Sequence, residues 1–257
     1  MRINLNFELE SNIINKEYRL TIISFIKHAL EKNYKNTYDD IYNKNTKMKA
    51  FTFGVFLPDA KINDNNIEIA KADNDKTYIN ATFSIFDNKI FIELYNSFNS
   101  MINKKYPKDE NTKSGIVMTL RKITMQNEKV ISKNKILIKF LSPLILRNHN
   151  RETNKDIYLT FKDENFNSIL NQSVERIAKE FNFESSEIKL IPVKTTDENG
   201  NIIQEESKTT VVPFKENLIS ASYGKFCLEG DITLLNNLYK TGIGSRRSEG
   251  FGMFEVL

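Results

Sequence analysis

Residues 242–254 read GIGSRRSEGFGMF. Four of the nine glycines in the chain (Gly242, Gly244, Gly250, Gly252) fall within eleven positions here, two arginines stand between the pairs, and an apolar tail follows. Glycine reaches positive φ at little cost and lets the backbone come close to a ligand. Successive amide N–H groups in such a loop can cradle a phosphate oxygen, and the guanidinium forks of Arg246 and Arg247 suit the same anion. The glycines serve equally well to close a tight corner between a helix and a last strand. Glu249 carries the same charge as phosphate and is expected to face one of the two arginines. A nucleoside-triphosphate loop is excluded, because that motif follows a strand and opens a helix, whereas this one follows the helical pattern of Ile232–Tyr239 and precedes the strand-like GMFEVL.

Upstream of the loop the chain alternates between two periods. The N-terminal INLNFEL has the period of a strand. From Lys16 to Lys32 the residues Tyr18, Ile22, Phe25, Ile26 and Ala29 recur at helical spacing, with Thr21, Ser24 and His28 on a polar flank. AFTFGVFLP (50–58) is a strand ended by Pro58, residues 59–76 are loop-like, and YINATFSIF (78–86) is a strand. Residues 88–102 put Ile90, Phe91, Leu94, Tyr95, Phe98 and Met101 on one helical face, and Gly115–Thr124 is a strand. The order β-α-β-β-α-β is the ferredoxin-like, RRM-like unit. It then repeats. KILIKFLSPLILR (135–147) is read as one strand bent at Pro143, and Asp163–Phe181 as a helix with Phe166, Ile169, Leu170, Ile177 and Phe181 on one side. IKLIPV (188–193) is a strand, a polar hairpin turns at Asn199-Gly200, and residues 211–230 form a long strand with a return toward the core. Asp231 is placed to cap the following short helix. The fold class expected is α+β, two tandem ferredoxin-like domains over 1–127 and 128–257, the second carrying the Gly-rich loop 242–252.

Composition narrows the function. The N-terminus lacks the apolar core of a signal peptide, and no apolar run approaches the roughly 18 residues of a membrane span. Cys227 is the only cysteine, which leaves no disulfide framework and no thiolate metal site. A cytoplasmic location without membrane contact is the expectation. The net charge is +4, yet Lys113–Arg151 holds nine basic residues and one acid, Glu128, so that stretch carries +8 and the remainder sums to −4. A basic segment in an otherwise acidic chain is the footprint of a polyanion binder, set against the plainer reading of a solvated strand face.

The doubled β-α-β-β-α-β order ending in GIGSRRSEGFGMF resembles the CRISPR-associated repeat-cleaving endoribonucleases (the Cas-six family of the RAMP superfamily). LSPLILR and AFTFGVF support the likeness, which covers the full chain. The resemblance implies a metal-independent endoribonuclease that cuts CRISPR precursor transcripts within the repeat, leaving 2′,3′-cyclic phosphate and 5′-hydroxyl ends. It implies no cofactor, the repeat RNA and CRISPR effector subunits as partners, and a monomer or homodimer. The RNA surface expected is Arg121, Lys133, Lys135, Lys139 and Arg147, with Lys47 ahead of the second strand and Gly242, Gly244, Ser245, Arg246, Arg247 and Gly250 in the loop.

Cleavage by a 2′-hydroxyl needs a base, an acid and cations for the developing charge. Only two histidines exist, His28 and His149. His28 stands off the apolar stripe of the first helix, as an acid–base group or as a plain surface residue. His149, in the polar segment RNHNRE, is assigned a solvated or RNA-contacting role. Many members of the family carry a histidine before the second strand, a lysine close to that strand and a tyrosine on the first helix. Matching AFTFGVF to that strand puts Lys49 at the lysine, while the histidine position falls near Asn43, beside Tyr42. The catalytic set is therefore His28 acting from the helix, or Tyr42 or Tyr38 with Lys47 and Lys49. The alternative is a non-catalytic RNA-binding RAMP subunit of a CRISPR effector complex, which the missing histidine favours. A general RNA-binding protein accounts for the basic segment but not for the placement of the loop.

Overall fold

The computed structural model describes residues 1–43, 48–107, 116–150, 155–196, 202–215 and 217–257. The chain forms two compact units, Met1–Glu128 and Lys129–Leu257.

In the first unit the elements are β1 (Arg2–Leu9), α1 (Tyr18–Asn33), β2 (Phe51–Phe56), β3 (Thr77–Ile85), α2 (Asn88–Asn99) and β4 (Met118–Gln126). The antiparallel sheet has the order β2-β3-β1-β4, which is the ferredoxin-like arrangement. Strand period 2 explains the packing: Ile3, Leu5, Phe7 and Leu9 of β1 are buried, while Asn4, Asn6 and Glu8 between them stay half-exposed. The helices cover the apolar side. Phe25 of α1 meets Phe7 edge-on at 5.1 Å and stacks on Phe98 of α2 at 5.8 Å. Asp87 caps α2 by accepting from Ile90 N at 2.8 Å, satisfying one of the amides a helix start leaves without a partner.

Two expectations change here. Residues 59–76 are not all loop: Lys61–Ile62 and Asn66–Glu68 are strands that form a small sheet with Ile13–Asn15. Thr21 is buried at 2% exposure and does not join the polar flank of α1, because it turns with Ile22 and Phe25 toward the core. The stretch after α1 continues as a helical turn, Lys35–Tyr38, and then as a π-helical turn, Asp39–Asn43.

The second unit repeats the sheet order. Its strands are β5 (Lys135–Phe140), β8 (Ile188–Pro192), β10 (Asn217–Gly230) and β11 (Phe254–Val256), arranged β8-β10-β5-β11, with α3 (Phe166–Phe181) and α4 (Ile232–Thr241). The segment 135–147 is two strands, not one. β5 stops at Phe140, and the chain resumes as β6 (Leu146–Asn150), which pairs with β7 (Lys155–Leu159) in a separate hairpin. Pro143 lacks the N–H a continuing ladder needs, and the amides of Leu141 and Ser142 both donate to Met253 O instead. Residues 211–230 likewise divide, into β9 (Ser207–Phe214) and β10, which pair as a hairpin. Strands Lys194–Thr196 and Ile202–Glu205 pair as the polar hairpin does. Its turn at Asn199-Gly200 lies outside the described residues, as does Gly115. Asp231 caps α4 through Leu234 N at 3.0 Å.

Candidate functional site

Helix α1 presents Lys27 and His28 to solvent. They are successive residues, so they diverge by about 100° around the axis, and each belongs to its own cluster. The imidazole of His28 packs on the ring of Tyr106, centroids 5.3 Å apart. The Tyr106 hydroxyl is 2.6 Å from Ser24 Oγ, one helical turn before His28. Burial raises the pKa of this phenol against the opposing pull of Ser24, so Tyr106 is neutral at physiological pH. The second cluster is centred on Tyr42 at the end of the π-helical turn. Lys49 Nζ lies 4.4 Å and Lys27 Nζ 5.0 Å from the Tyr42 ring centroid, and the Tyr38 ring is 5.4 Å away. Cation–π attraction holds an ammonium over a phenol at roughly 0.5–1 kcal/mol in exposed sites. The outcome is two ammonium groups converging on one ring, an arrangement suited to an anion. Asn43, nearest the position where the family's histidine was sought, ties its amide to Asp39 Oδ1 at 2.6 Å. Lys47 lies outside the described residues.

Tyr42 and Lys49 are thus brought together, and His28 stands in the other cluster. Lys27 and Tyr106 were missed. Helical period alone puts Lys27 on the exposed side of α1. No local pattern links Tyr106 to Ser24 across 82 residues.

In the second unit the Gly-rich loop is built into the fold. Gly242, Gly244, Gly250 and Gly252 all have positive φ. A Cβ at Gly244 would lie 2.6 Å from Ile145 O, and one at Gly252 would lie 1.8 Å from Ile243 O. The amides of Gly242, Ile243, Ser245 and Gly252 donate to Leu238, Gly252, Ile145 and Pro143 carbonyls at 2.8–2.9 Å, and those of Glu249 and Gly250 close the turn on Arg246 and Arg247. These six amides therefore donate to the chain's own carbonyls, which stitches the loop to α4, to the Pro143 bend and to the segment before β11.

The two arginines differ as well. Arg247 is 7% exposed, its Nη1 donates to Thr241 O at 2.8 Å, and burial lowers its pKa to about 10. It remains a cation at neutral pH, but it fastens the C-terminal turn of α4 rather than presenting a fork to a ligand. Arg246 is half-buried. Its Nη1 meets Glu249 Oε2 at 2.9 Å and its Nη2 donates to Tyr158 Oη at 3.1 Å. Burial works against its charge, and the bonds to Tyr158 and Glu249 outweigh that effect and raise its pKa. Glu249 faces Arg246, as its sign requires, and also Lys215 at 2.5 Å.

The basic stretch is less bare than its count. Arg121 pairs with Glu8 at 2.9 Å, Lys135 with Glu229 at 2.5 Å, and Arg147 with Asp156 at 3.3 Å. Lys133 and Lys139 are exposed. Lys113 and Arg151 lie outside the described residues. Ser245 Oγ accepts from Arg147 N at 3.3 Å, which links the loop to the start of the β6/β7 hairpin. On that hairpin His149 Nδ1 is 2.8 Å from Asp156 Oδ1. Among the described residues no group of three or more His, Cys, Asp or Glu is placed to hold a metal ion, and no helix is long and apolar enough to cross a membrane.

Residues 126–256 match the family described as CRISPR associated protein Cas6, C-terminal. No curated protein matches the sequence. Among solved structures the chain is similar over its whole length to a RAMP protein binding different RNA substrates, at 18% identity and a TM-score of 0.77, covering 99% of that chain. It is similar in the same way to a Cas6-related protein from Pyrococcus furiosus, at 18% identity and a TM-score of 0.78, covering 98% of it. A Cas6 product complex matches at 12% identity with a TM-score of 0.63, both chains covered in full. At these identities the likeness is one of fold, and the fold is the tandem ferredoxin-like one.

Proposed function

The chain belongs to the Cas6 family of CRISPR-associated proteins, and on that premise we propose that it binds the repeat of a CRISPR precursor transcript and cuts the RNA there without a metal ion. The observation that carries the catalytic part is the convergence of Lys27 and Lys49 on Tyr42. In-line attack of a 2′-hydroxyl on the adjacent phosphate builds negative charge on the phosphorane oxygens, and pre-positioned cations lower that barrier. Lys49 and Lys27 supply the cations, and the ring of Tyr42 holds their ammonium groups. His28, with an imidazole whose ordinary pKa lies near neutrality, serves as the acid–base group, its ring seated on Tyr106. The products are a 2′,3′-cyclic phosphate and a 5′-hydroxyl, and dependence on the 2′-hydroxyl restricts the substrate to RNA. Arg147, Lys133, Lys139 and the Arg246 side of the loop contact the RNA backbone. A structure described as a RAMP protein binding different RNA substrates and another described as a Cas6 product complex share the fold and support this reading.

Asn43 favours a second reading, a non-catalytic RNA-binding subunit of an effector complex, because its amide replaces an acid–base group and is tied to Asp39. Incubating the full chain with repeat RNA in EDTA separates the two. Cleavage with cyclic-phosphate ends supports the nuclease. Binding without cleavage, with or without added divalent ions, supports the subunit. Cleavage that appears only on adding a divalent ion overturns the metal-independent mechanism.

A further inference from the structure

A cleft of about 410 Å³ opens between the β6/β7 hairpin and the outer face of α3, lined by Arg147, His149, Gln172, Glu175 and Arg176 among others. Three of these are cations or can become one. Arg147 reaches Asp156 Oδ2 at 3.3 Å with one terminal nitrogen, and Arg176 donates Nε to Gln172 O at 3.2 Å. Guanidinium carries five N–H donors, so both arginines retain donors after these contacts. Glu175, the carboxylate in the lining, is drawn to Lys179 at 2.6 Å. His149 is held by its Nδ1 on Asp156 Oδ1 at 2.8 Å, which leaves Nε2 as the nitrogen that can meet a ligand. The formal charges of Arg147, Arg176, Lys179, Glu175 and Asp156 sum to one positive charge, which protonation of His149 doubles.

We propose that this cleft is a further RNA contact, a site for one backbone phosphate held between Arg147, Arg176 and the imidazolium of His149, so that RNA affinity falls as His149 loses its proton. The proposal rests on the reading of the chain as an RNA-binding Cas6 protein. The contact with the phosphate needs the charged form of the imidazole, so binding is strongest below the ordinary histidine range and weakens as pH rises through it. The groups facing His149 are Arg147 and Asp156 from the hairpin and Glu175 and Arg176 from α3. None of their side-chain types ordinarily titrates between pH 5.5 and 8.

The test uses the full chain and a fluorescent 2′-O-methyl oligonucleotide of the repeat, which cannot be cut because its nucleophile is blocked. Affinity is measured from pH 5.5 to 8.0 at fixed ionic strength. Wild type is expected to weaken about three- to tenfold across that range. His149→Gln keeps a hydrogen bond to Asp156 but no charge, and should show the high-pH wild-type affinity throughout. Arg176→Ala should bind about tenfold more weakly at every pH, the loss expected for a hydrogen bond to a charged group, and Arg176→Lys should recover part of it. A His149→Gln variant that keeps the wild-type pH dependence points to the chain's other histidine, His28, and overturns the proposal. An Arg176→Ala variant that binds like wild type overturns it too. If wild type binds and neither variant differs, the cleft alone fails; if wild type binds no repeat oligonucleotide, the RNA reading itself fails. Oligonucleotides with 5′-phosphate and 5′-hydroxyl ends should bind within twofold of one another. A tenfold preference for the phosphate end, abolished by Arg176→Ala, would overturn the assignment to a backbone phosphate.

Discussion

Tyr106 touches both members of a pair on α1, bonding Ser24 and seating the ring of His28. That contact lets the two candidate clusters be tested apart. His28→Ala should lower the cleavage rate by roughly 10²–10⁴ with RNA affinity nearly intact if His28 moves a proton. Tyr106→Phe keeps the ring and removes only the hydroxyl, so its loss should stay below about tenfold. Lys49→Ala should lower the rate by about 10²–10³ through lost charge stabilisation, with no change in the shape of the pH–rate profile. Single-turnover rates across pH settle the matter: a His28→Ala variant cleaving at the wild-type rate returns the acid–base role to Tyr42. At this scale the sequence was half legible. Tyr42 and Lys49 could be found because the resemblance to the family, with AFTFGVF matched to its second strand, points to those positions. Tyr106 could not, because its partner is far off in the chain. Arg247 looked like Arg246 in sequence. Only the fold shows that one is buried against Thr241 O and the other meets Tyr158 and Glu249.

Elements were legible where their period runs long enough to repeat. Helix α1, β1 and β3 each carry several turns or alternations of apolar residues, and the structure buries those residues. Lys61–Ile62 and Asn66–Glu68 are too short for any period and are polar besides, so only their pairing with Ile13–Asn15 reveals them as strands. The segment 135–147 misleads in the opposite direction. Its apolar content is continuous, while the donor missing at Pro143 divides it between two sheets. The start of α4 was readable from a single residue, Asp231; Asp87 caps α2 in the same way but was not singled out from sequence. Asp87 and Asp231 each accept an amide three residues on, at 2.8 and 3.0 Å. Replacing either by alanine should cost about 1 kcal/mol, within the 0.5–2 kcal/mol usual for a lost cap. Urea unfolding of the two variants measures it, and an unchanged midpoint for both would mean that tertiary packing alone holds these helices.

For the molecule as a whole, acid is the condition that should weaken it most. Five carboxylates, Glu8, Asp156, Glu175, Glu229 and Glu249, have depressed pKa values, Glu175 and Glu229 through their lysine partners Lys179 and Lys135. In Glu249 burial pushes up and the bonds to Lys215 and Arg246 pull down more strongly; in Asp156 burial is likewise outweighed, by His149 and Arg147; in Glu8 the bonds to Lys76 and Arg121 dominate. A carboxylate whose folded value lies below its unfolded one contributes stability that is fully present above the unfolded value and is lost as pH falls through the folded one. The urea midpoint should therefore owe no change to these groups from pH 8 to about 5 and should drop below about 4. Glu249→Gln should make that drop shallower, and an unchanged acid limb in this variant would assign the loss to other groups. The Gly-rich loop sets a different kind of limit, on the gene. Every glycine codon opens with two guanines, and a change in either one brings in a side chain or a stop. At Gly252 that side chain would begin 1.8 Å from a carbonyl oxygen of Ile243. However rich in the adenine codons of lysine and asparagine the rest of the reading frame becomes, selection on a backbone contact holds those two guanines in place and leaves only the third base free to drift.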